Sequence, residues 1–479
     1  NLAVAVAGTG LPLNSTEVAP SRRMTASRRR ALRCGNGAGT IRRDFETRAG
    51  VTGHRPTARE EARLITTDVI VLGAGMVGTS AAVHLQAKGK RVVLVDRRGI
   101  GEETSYGNAG IVEREGLVPV AFPREIGALI RYGLKLETAA NYHLSFLPKI
   151  APWLWQLFLA TDQAGIARFA AGVDALSRTA IAEHRDLSRQ AGAEGFFRET
   201  GWVRLYRSHK GLADAASLHD FADQYGIAYQ HLTIAELKEM EPDLNPVGVG
   251  AVLWPESQSV SWPEGVTKAY GEMFVGRGGV VAKGDARSLR RGANGWVVST
   301  ESGEIGATHV VVAMGPWAND LLDRFDLRFP LAVKRGYHMH FAPKGEATLG
   351  RPIVDVEKGY LLTQMLKGIR LTTGIEFADR DAPPTPVQLD KLKPVARELF
   401  PLGAEVDPEP WLGRRPVLPD GLPIIGPAPG VPDMWLDFGH GHLGFTHGPI
   451  SGRLIAEAIS GETPSIDLTP FRAERFGRK

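Results

Sequence analysis

The chain has 479 residues, of which 43% are hydrophobic and 23% charged, so it can bury a large core and is long enough for two domains. The formal net charge of +4 is unevenly placed, because residues 1–64 contain 12 Arg, no Lys and 5 acidic residues. The rest of the chain has more acidic than basic residues, which argues against nucleic acid as a partner. No run of about 20 uninterrupted apolar residues predicts a membrane-spanning helix, and we expect a cytoplasmic protein.

Residues 1–64 are predicted to be a disordered Arg-rich tail. They lack hydrophobic periodicity and carry basic clusters such as Arg28–Arg30, so burial cannot offset the loss of chain entropy. A targeting presequence or a nucleic-acid-binding arm would have this composition, but we favour an upstream extension or a non-native start. The only cysteine, Cys34, lies here, which leaves the rest of the chain without a disulfide, a thiolate metal site or a cysteine nucleophile.

A dinucleotide-binding fingerprint begins with the apolar run Asp68–Leu72, which predicts a buried strand. Gly73, Gly75 and Gly78 follow at the spacing of a glycine-rich turn, and Val92–Asp96 predicts the second strand of a βαβ unit. Gly73 permits the tight turn, Gly75 lets the backbone approach a pyrophosphate, and Gly78 lets the helix pack closely on the strand.

The remaining parts of the fingerprint specify an adenine dinucleotide. The free amides near Met76 and Val77, at the start of the predicted helix, face the phosphates, where the helix dipole favours negative charge. Asp96 can accept hydrogen bonds from ribose hydroxyls, and its charge would repel a 2′-phosphate, which disfavours NADP. NAD and FAD share this fingerprint, so the choice between them depends on the rest of the chain.

The middle of the chain predicts an insertion and a return to the first sheet. The polar loop 101–110 opens at the carboxyl end of the strands, where α/β proteins bind ligands. Residues 116–240 are mostly helical in pattern and resemble a cap. A helix at 263–279 and short strands lead into the apolar strand His309–Val312, which we expect to pair with the first sheet.

Two further regions complete the predicted fold. Alternating patterns at 336–341, 359–365 and 369–377 predict an antiparallel sheet, which would be the substrate domain. The apolar segment Leu144–Ala160 is interrupted by prolines, so we expect it to pack in the core, with contact to a membrane surface as the alternative.

The last segment favours a flavin over NAD. Trp435–Phe438 predicts a strand, Gly439–Thr446 a glycine-rich turn, and Gly448–Gly461 a helix whose N-terminus points at the same edge of the sheet. NAD-dependent dehydrogenases do not need this late return. A flavin does, because its reduced ring carries negative charge that a helix N-terminus stabilises.

With these motifs the chain resembles the D-amino acid oxidase superfamily of flavoproteins, most closely the bacterial D-amino acid dehydrogenases. The resemblance is carried by residues 73–78, by Ser105 with Asn108–Gly110, by Val312–Trp317 and by the segment Arg415–Thr446. Their order spans residues 65–465, nearly the whole foldable chain.

The resemblance implies an α/β protein with a discontinuous Rossmann-like FAD-binding domain and a mixed-sheet α+β substrate domain. The predicted FAD-binding domain comprises residues 65–115, 263–329 and 416–479, and the substrate or cap domain comprises 116–262 and 330–415. The FAD is expected to be non-covalent, since the folded part has no cysteine to tether it. The predicted FAD-binding residues are Gly73, Gly75, Met76, Val77, Gly78, Asp96, Ser105, Asn108, Ala109, Gly110, Gly315, Gly441, Leu443 and Gly444.

The family's chemistry is hydride transfer from Cα of an amino acid to the flavin, giving an imine that water converts to a 2-oxo acid and ammonia. Arg415 falls on the family's Arg-Pro position and is predicted to clamp the substrate carboxylate, with Arg414 as the alternative. Tyr337 and Tyr360 are candidate hydroxyl donors, and His440 is expected close to the flavin.

Some alternatives remain open at this point. His338 and His340 share a strand face, but no third ligand is evident and the family uses no metal, so we predict none. The resemblance favours a quinone or dye as electron acceptor and permits peripheral membrane contact. An oxygen-using oxidase, an enzyme for secondary amino acids such as proline, hydroxyproline, sarcosine or glycine, and a flavin-binding module without amine chemistry are the alternatives.

Overall fold

A computed structural model of the chain describes residues 65–119, 127 and 138–477. The predicted Arg-rich tail, including Cys34, lies outside these residues. The helices of the described part are α1 (Met76–Ala87), α2 (Leu147–Ala160), α3 (Gln163–Gln190), α4 (His209–Asp214), α5 (Ala216–Tyr225), α6 (Ile234–Met240), α7 (Pro263–Gly276), α8 (Ala318–Leu322), α9 (Val387–Leu399) and α10 (Gly444–Ile459).

The strands alternate with these helices. They are β1 (Ile65–Leu72), β2 (Val92–Asp96), β3 (Ile111–Val112), β4 (Ala140–Tyr142), β5 (Phe197–Arg198), β6 (Trp202–Tyr206), β7 (Gln230–Leu232), β8 (Gly250–Trp254), β9 (Gln258–Val260), β10 (Val280–Lys283), β11 (Arg290–Gly292), β12 (Gly295–Thr300), β13 (Gly303–Val312), β14 (Ala332–Pro343), β15 (Ile353–Asp355), β16 (Tyr360–Met365), β17 (Gly368–Thr373), β18 (Ile375–Phe377), β19 (Leu402–Glu405), β20 (Trp411–Val417), β21 (Ile424–Pro427) and β22 (Met434–Phe438).

The first sheet joins distant parts of the chain around β1. Its main path runs β10-β2-β1-β13-β12-β11, and β22 pairs with the end of β13. Residues Val310–Val312 lie parallel to Ile70–Leu72 on one side and to Met434–Leu436 on the other. These central residues are fully buried, so the continuous apolar pattern reflects a strand with covered faces. The predicted return of this strand to the first sheet is confirmed.

Helices from both ends of the chain cover one face of this sheet. A Cβ added to Gly452 of α10 would lie 2.5 Å from the Ala81 nitrogen of α1, so only glycine permits this close approach. Helix α3 packs on the same pair, and His184 Nε2 lies 2.8 Å from the carbonyl oxygen of Phe445. The sequence analysis assigned the residues of α3 to the cap domain. In the structure α3 instead packs on helices of the predicted FAD-binding domain, because its buried face lies against α10.

The second sheet carries the substrate side. Its main path is β4-β18-β14-β17-β16-β15-β6-β8-β7, and β19 and β20 also pair with β14. The predicted antiparallel sheet is confirmed, since β14 pairs with β17 and β17 with β16 in antiparallel register. One face packs on α9 through Leu389, Leu392 and neighbouring apolar residues. The opposite face is free to form the wall of a cavity.

The apolar segment 144–160 has two different faces. Ile150, Trp153 and Leu157 are buried, so this face packs in the core as predicted. Trp155 and Leu159 are 61% and 55% exposed, and the membrane contact stays a prediction. Among the described residues no helix is long and apolar enough to cross a bilayer.

Candidate functional site

A cavity of about 860 Å³ lies between the carboxyl edge of the first sheet and the second sheet. It receives residues from the early glycine turn, the 101–110 loop, the end of β13 and the late glycine turn, as the sequence predicted. The predicted FAD-binding residues that line it are Gly73, Gly75, Met76, Val77, Asp96, Ser105, Asn108, Ala109, Gly315, Gly441, Leu443 and Gly444.

The early glycine turn is shaped by close backbone approaches. Gly73 has φ of +103°, and a Cβ there would lie 2.5 Å from the Ala313 carbonyl oxygen. A Cβ on Gly78 would overlap the carbonyl oxygen of Gly73, so the helix can start this close to the strand only with glycine. Gly78 and Gly110 do not line the cavity; they shape its wall from behind. A Cβ on Gly75 would meet only Ser105 Oγ, at 3.3 Å, and otherwise faces the cavity.

Polar groups around this turn match the ends of a dinucleotide. Asp96 accepts hydrogen bonds from the Ala74 and Arg98 nitrogens, both at 2.8 Å, and its oxygens keep further acceptor capacity. Ser105 Oγ accepts from the Met76 nitrogen at 2.9 Å, at the first turn of α1. The turn therefore offers a phosphate-sized opening beside a helix N-terminus and an acid for the ribose, which fits an adenine dinucleotide.

The late glycine turn brings a second helix N-terminus to the cavity. The Gly441 nitrogen donates to the Pro416 carbonyl at 2.7 Å with φ of +61°, and α10 begins at Gly444. His440 lines the cavity, and its Nε2 lies 3.4 Å from Asp437 Oδ1. Burial lowers the pKa of His440 to about 3 and raises that of Asp437 well above its usual value, so burial favours the neutral pair.

Arg415 reaches the cavity wall from β20. It pairs in register with Lys334 of β14, and its guanidinium lies over Gly336, where a Cβ would come within 2.8 Å of Nη1. Its Nη1 donates to the Gly374 carbonyl at 3.2 Å, and no carboxylate of the described residues lies within ion-pair distance. Burial lowers its pKa to about 10, so it stays charged at neutral pH and lacks an anion.

Arg414 has a different environment. Its Nε donates to the Arg380 carbonyl at 3.0 Å, and the side chain is half-buried at the mouth of the cavity. Both arginines line the cavity. Successive residues of a strand point to opposite faces, and only Arg415 shares the face of its register partner Lys334.

The two candidate tyrosines are not equivalent, and neither offers a free hydroxyl to the cavity. The Tyr337 hydroxyl donates to Glu376 Oε2 at 2.8 Å and accepts from Arg335 at 3.0 Å and from the Thr385 nitrogen at 2.7 Å. Tyr360 is fully buried in the apolar cluster beneath the sheet and does not line the cavity. Its neighbour Leu361 does, so the strand turns Tyr360 away from the predicted site.

Replacing Tyr337 by Phe is expected to lower stability more than activity. The change leaves the buried Glu376 and Arg335 without the hydroxyl they share, which costs about 1–3 kcal/mol. Thermal unfolding of the flavin-loaded variant, compared with its apparent substrate constant, checks this. A large rise in that constant at unchanged melting temperature would instead give the hydroxyl a role in substrate binding.

The histidine pair has a third neighbour that the sequence did not reveal. Ligand atoms of His338, His340 and Asp407 lie within 4.8 Å of one another. His340 is already engaged on both ring nitrogens, since Nδ1 lies 2.6 Å from Asp407 Oδ2 and Nε2 accepts from Arg370 at 3.0 Å. A guanidinium this close disfavours a metal cation. Of the three residues only His338 lines the cavity, and His340 and Asp407 form a hydrogen-bonded pair next to it.

Several other residues that line the cavity were missed in the sequence. Lys334 and Thr372 belong to the same sheet face as Arg415, and Glu113 and His442 lie across from each other with Nε2 to Oε2 at 4.0 Å. No motif contains Lys334 or Glu113, and only strand register reveals that they point inward.

The comparisons identify the family. The chain matches the family model of the FAD dependent oxidoreductases named DAO over residues 68–458. It belongs to this family. A D-amino-acid oxidase of Bradyrhizobium diazoefficiens is 30% identical over 416 residues, covering 85% of this chain and 98% of that protein. A D-amino acid dehydrogenase of Paramagnetospirillum magneticum is 29% identical over 431 residues, covering 85% and 98%.

Solved protein structures share this fold. Glycine oxidase from Geobacillus kaustophilus superposes with a TM-score of 0.65 over 86% of this chain and 99% of its own, at 22% identity. This DAO-family chain is therefore an FAD-dependent oxidoreductase with the two-part α/β architecture that the sequence predicted. The cradle at Gly73–Gly78 and the late turn at Gly439–Gly444 are the residues that would hold the FAD.

Acid precipitation of this DAO-family enzyme is expected to release its FAD into the supernatant. The described residues contain no cysteine, so a thioether link to the flavin has no donor there. The measurement is the absorbance of supernatant and pellet after precipitation. Yellow colour retained in the washed pellet would show a covalent link.

Proposed function

We propose that this enzyme oxidises the Cα–N bond of a D-amino acid and passes the electrons to a quinone or a dye. The observation that carries the proposal is Arg415, a half-buried residue whose guanidinium lines the cavity without a carboxylate partner among the described residues. An unpaired buried charge is costly, and a substrate carboxylate would complete it with two parallel hydrogen bonds. A flavin-binding module without amine chemistry has no need for such a group.

The chain's own residues would act by binding and orientation. Arg415 fixes the carboxylate and thereby aims the Cα–H bond, while the buried wall of His338 and Trp411, whose rings stack at 4.7 Å, limits access of water. When bound, FAD supplies the acceptor for a hydride from Cα. The substrate amine becomes an imine, and water then converts this to a 2-oxo acid and ammonia. The names of the two curated relatives support the D-configuration.

Anaerobic mixing of the purified yellow protein with D-, L- and N-alkyl amino acids tests the proposal. Bleaching of the flavin by D-amino acids is the expected result. Bleaching by N-alkyl or cyclic amino acids alone would move the substrate to the secondary amines, and no bleaching by any of them would refute amino acid oxidation. Reoxidation by a quinone analogue faster than by air-saturated buffer supports the dehydrogenase, and the reverse order supports an oxidase.

A further inference from the structure

Lys334 is a second buried cation beside Arg415. The two residues are register partners on β14 and β20, and both line the cavity. Lys334 is 5% exposed, and no carboxylate of the described chain lies within ion-pair distance of its Nζ. The Nζ lies 5.5 Å from the ring centre of Trp153, which covers it from α2.

The absence of an anion sets this pair apart from most other cations of the cavity. Arg414 also has no ion pair among the described residues, but its Nε donates to the Arg380 carbonyl. Four arginines at its outer part each have a carboxylate within 3.1 Å: Arg97, Arg98, Arg287 and Arg380. Neither Lys334 nor Arg415 has such a neighbour, although Lys334 is more deeply buried than any of the four. Burial, with a smaller contribution from the Arg415 charge, lowers the pKa of Lys334 to about 7. Two adjacent buried cations therefore destabilise each other until anions bind.

A single substrate carboxylate would pair only one of these two groups well. Arg415 offers a planar fork suited to a carboxylate, whereas Lys334 is a point charge that can bind another oxygen from a different direction. Among the carboxylates that line the cavity, Glu113 lies beside His442, with Oε2 4.0 Å from Nε2. Burial lowers the pKa of His442 well below its usual value, so this ring is neutral.

We infer that the substrate is an amino dicarboxylic acid, whose side-chain carboxylate binds Lys334 while the α-carboxylate binds Arg415. The two carboxylates of such a substrate match Lys334 and Arg415, which are register partners and have no carboxylate of the described residues within ion-pair distance. The inference rests on the proposed amino acid oxidation and specifies the substrate class of the same site. It also accounts for a lysine in a wall where an apolar residue would be less costly.

The deciding experiment compares near-isosteric substrates in the flavin-loaded full-length enzyme. Rates of anaerobic flavin reduction are measured with D-glutamate against D-glutamine and with D-aspartate against D-asparagine. We expect the acid to be preferred about tenfold or more in the concentration dependence, because a charge-assisted hydrogen bond is gained. Below about pH 7 the preference should be greatest, since Lys334 is then protonated.

Variants assign the preference to this lysine. Lys334→Met is expected to abolish the preference for acids over amides, and Lys334→Arg to retain part of it. The matched control is Lys391→Met on the exposed side of α9, which should leave the acid-to-amide ratio unchanged. Flavin absorbance of each variant reports whether FAD is still bound.

The outcomes separate this inference from the function on which it rests. A wild-type enzyme that is reduced by amides or apolar amino acids as well as by acids would refute the dicarboxylate inference and leave amino acid oxidation standing. An enzyme reduced by none of them would refute the proposed function itself. The inference is wrong if Lys334→Met keeps FAD with the wild-type acid-to-amide ratio. It is also wrong if Lys334→Met loses FAD while Lys334→Arg keeps FAD and shows no preference for acids, because Lys334 would then be a flavin contact.

Discussion

Replacing Arg415 by Ala is expected to raise the apparent amino acid constant by roughly a hundredfold or more while FAD remains bound. The variant leaves the substrate carboxylate in a largely buried site without its charged partner, and losing one member of a buried ion pair costs about 3–5 kcal/mol. Arg415→Lys should restore little, since an ammonium cannot reproduce the planar fork of the guanidinium. Rapid-reaction flavin reduction at increasing amino acid concentration is the measurement.

Arg414→Ala is the matched control for this prediction. Its side chain donates to a backbone carbonyl at the cavity mouth, so its loss should change the amino acid constant only slightly. If Arg414→Ala abolishes saturation and Arg415→Ala does not, the carboxylate clamp is the other arginine. If neither variant affects the constant, the amino acid assignment fails.

Gly75→Val is expected to give a folded protein without FAD. A side chain at this position meets no backbone atom of the described structure and instead fills the opening where the pyrophosphate would lie. The readouts are the flavin-to-protein absorbance ratio, expected near zero, and a circular dichroism spectrum that stays close to the wild type.

Gly276→Val provides the control for a glycine replaced elsewhere in the same domain. It lies at the end of α7 with no atom within contact distance of an added Cβ, and its backbone is compatible with a side chain. This variant should remain yellow. A yellow Gly75→Val protein would show that the pyrophosphate does not approach this turn.

The nucleotide-binding part of the fold could be predicted because its signals are local. Gly73 and Gly78 are required by contacts within one strand-turn-helix unit, so their spacing alone specifies the turn. The same holds for the apolar strand ending at Val312, whose pattern shows that both faces are covered. The cavity-lining position of Gly441 and Gly444 followed from a second strand-turn-helix unit of the same kind.

The substrate wall could not be predicted in the same way because it depends on strand register. Tyr360 and Leu361 are neighbours in the sequence, yet only Leu361 faces the cavity. A shift of the strand register by one residue would exchange the faces on which Arg414 and Arg415 lie, so the sequence alone does not distinguish them. The position of Lys334 beside Arg415 becomes evident only when β14 is paired with β20, because these two residues are 81 positions apart in the sequence. Asp407 approaches His340 through a contact between β14 and a later loop, which no motif contains.

The placement of β1 between β2 and β13, which lie far apart in the sequence, has a consequence for synthesis on the ribosome. Residues Ile70–Leu72 find one neighbour in β2 at once, but the other, β13, emerges some 240 residues later, and α1 is covered only when α10 has followed. Until then the nascent chain exposes an apolar strand edge, which is prone to pair with other chains. Pairing this distant in sequence makes folding slow, and we expect the FAD site to be complete only after α10 has been synthesised.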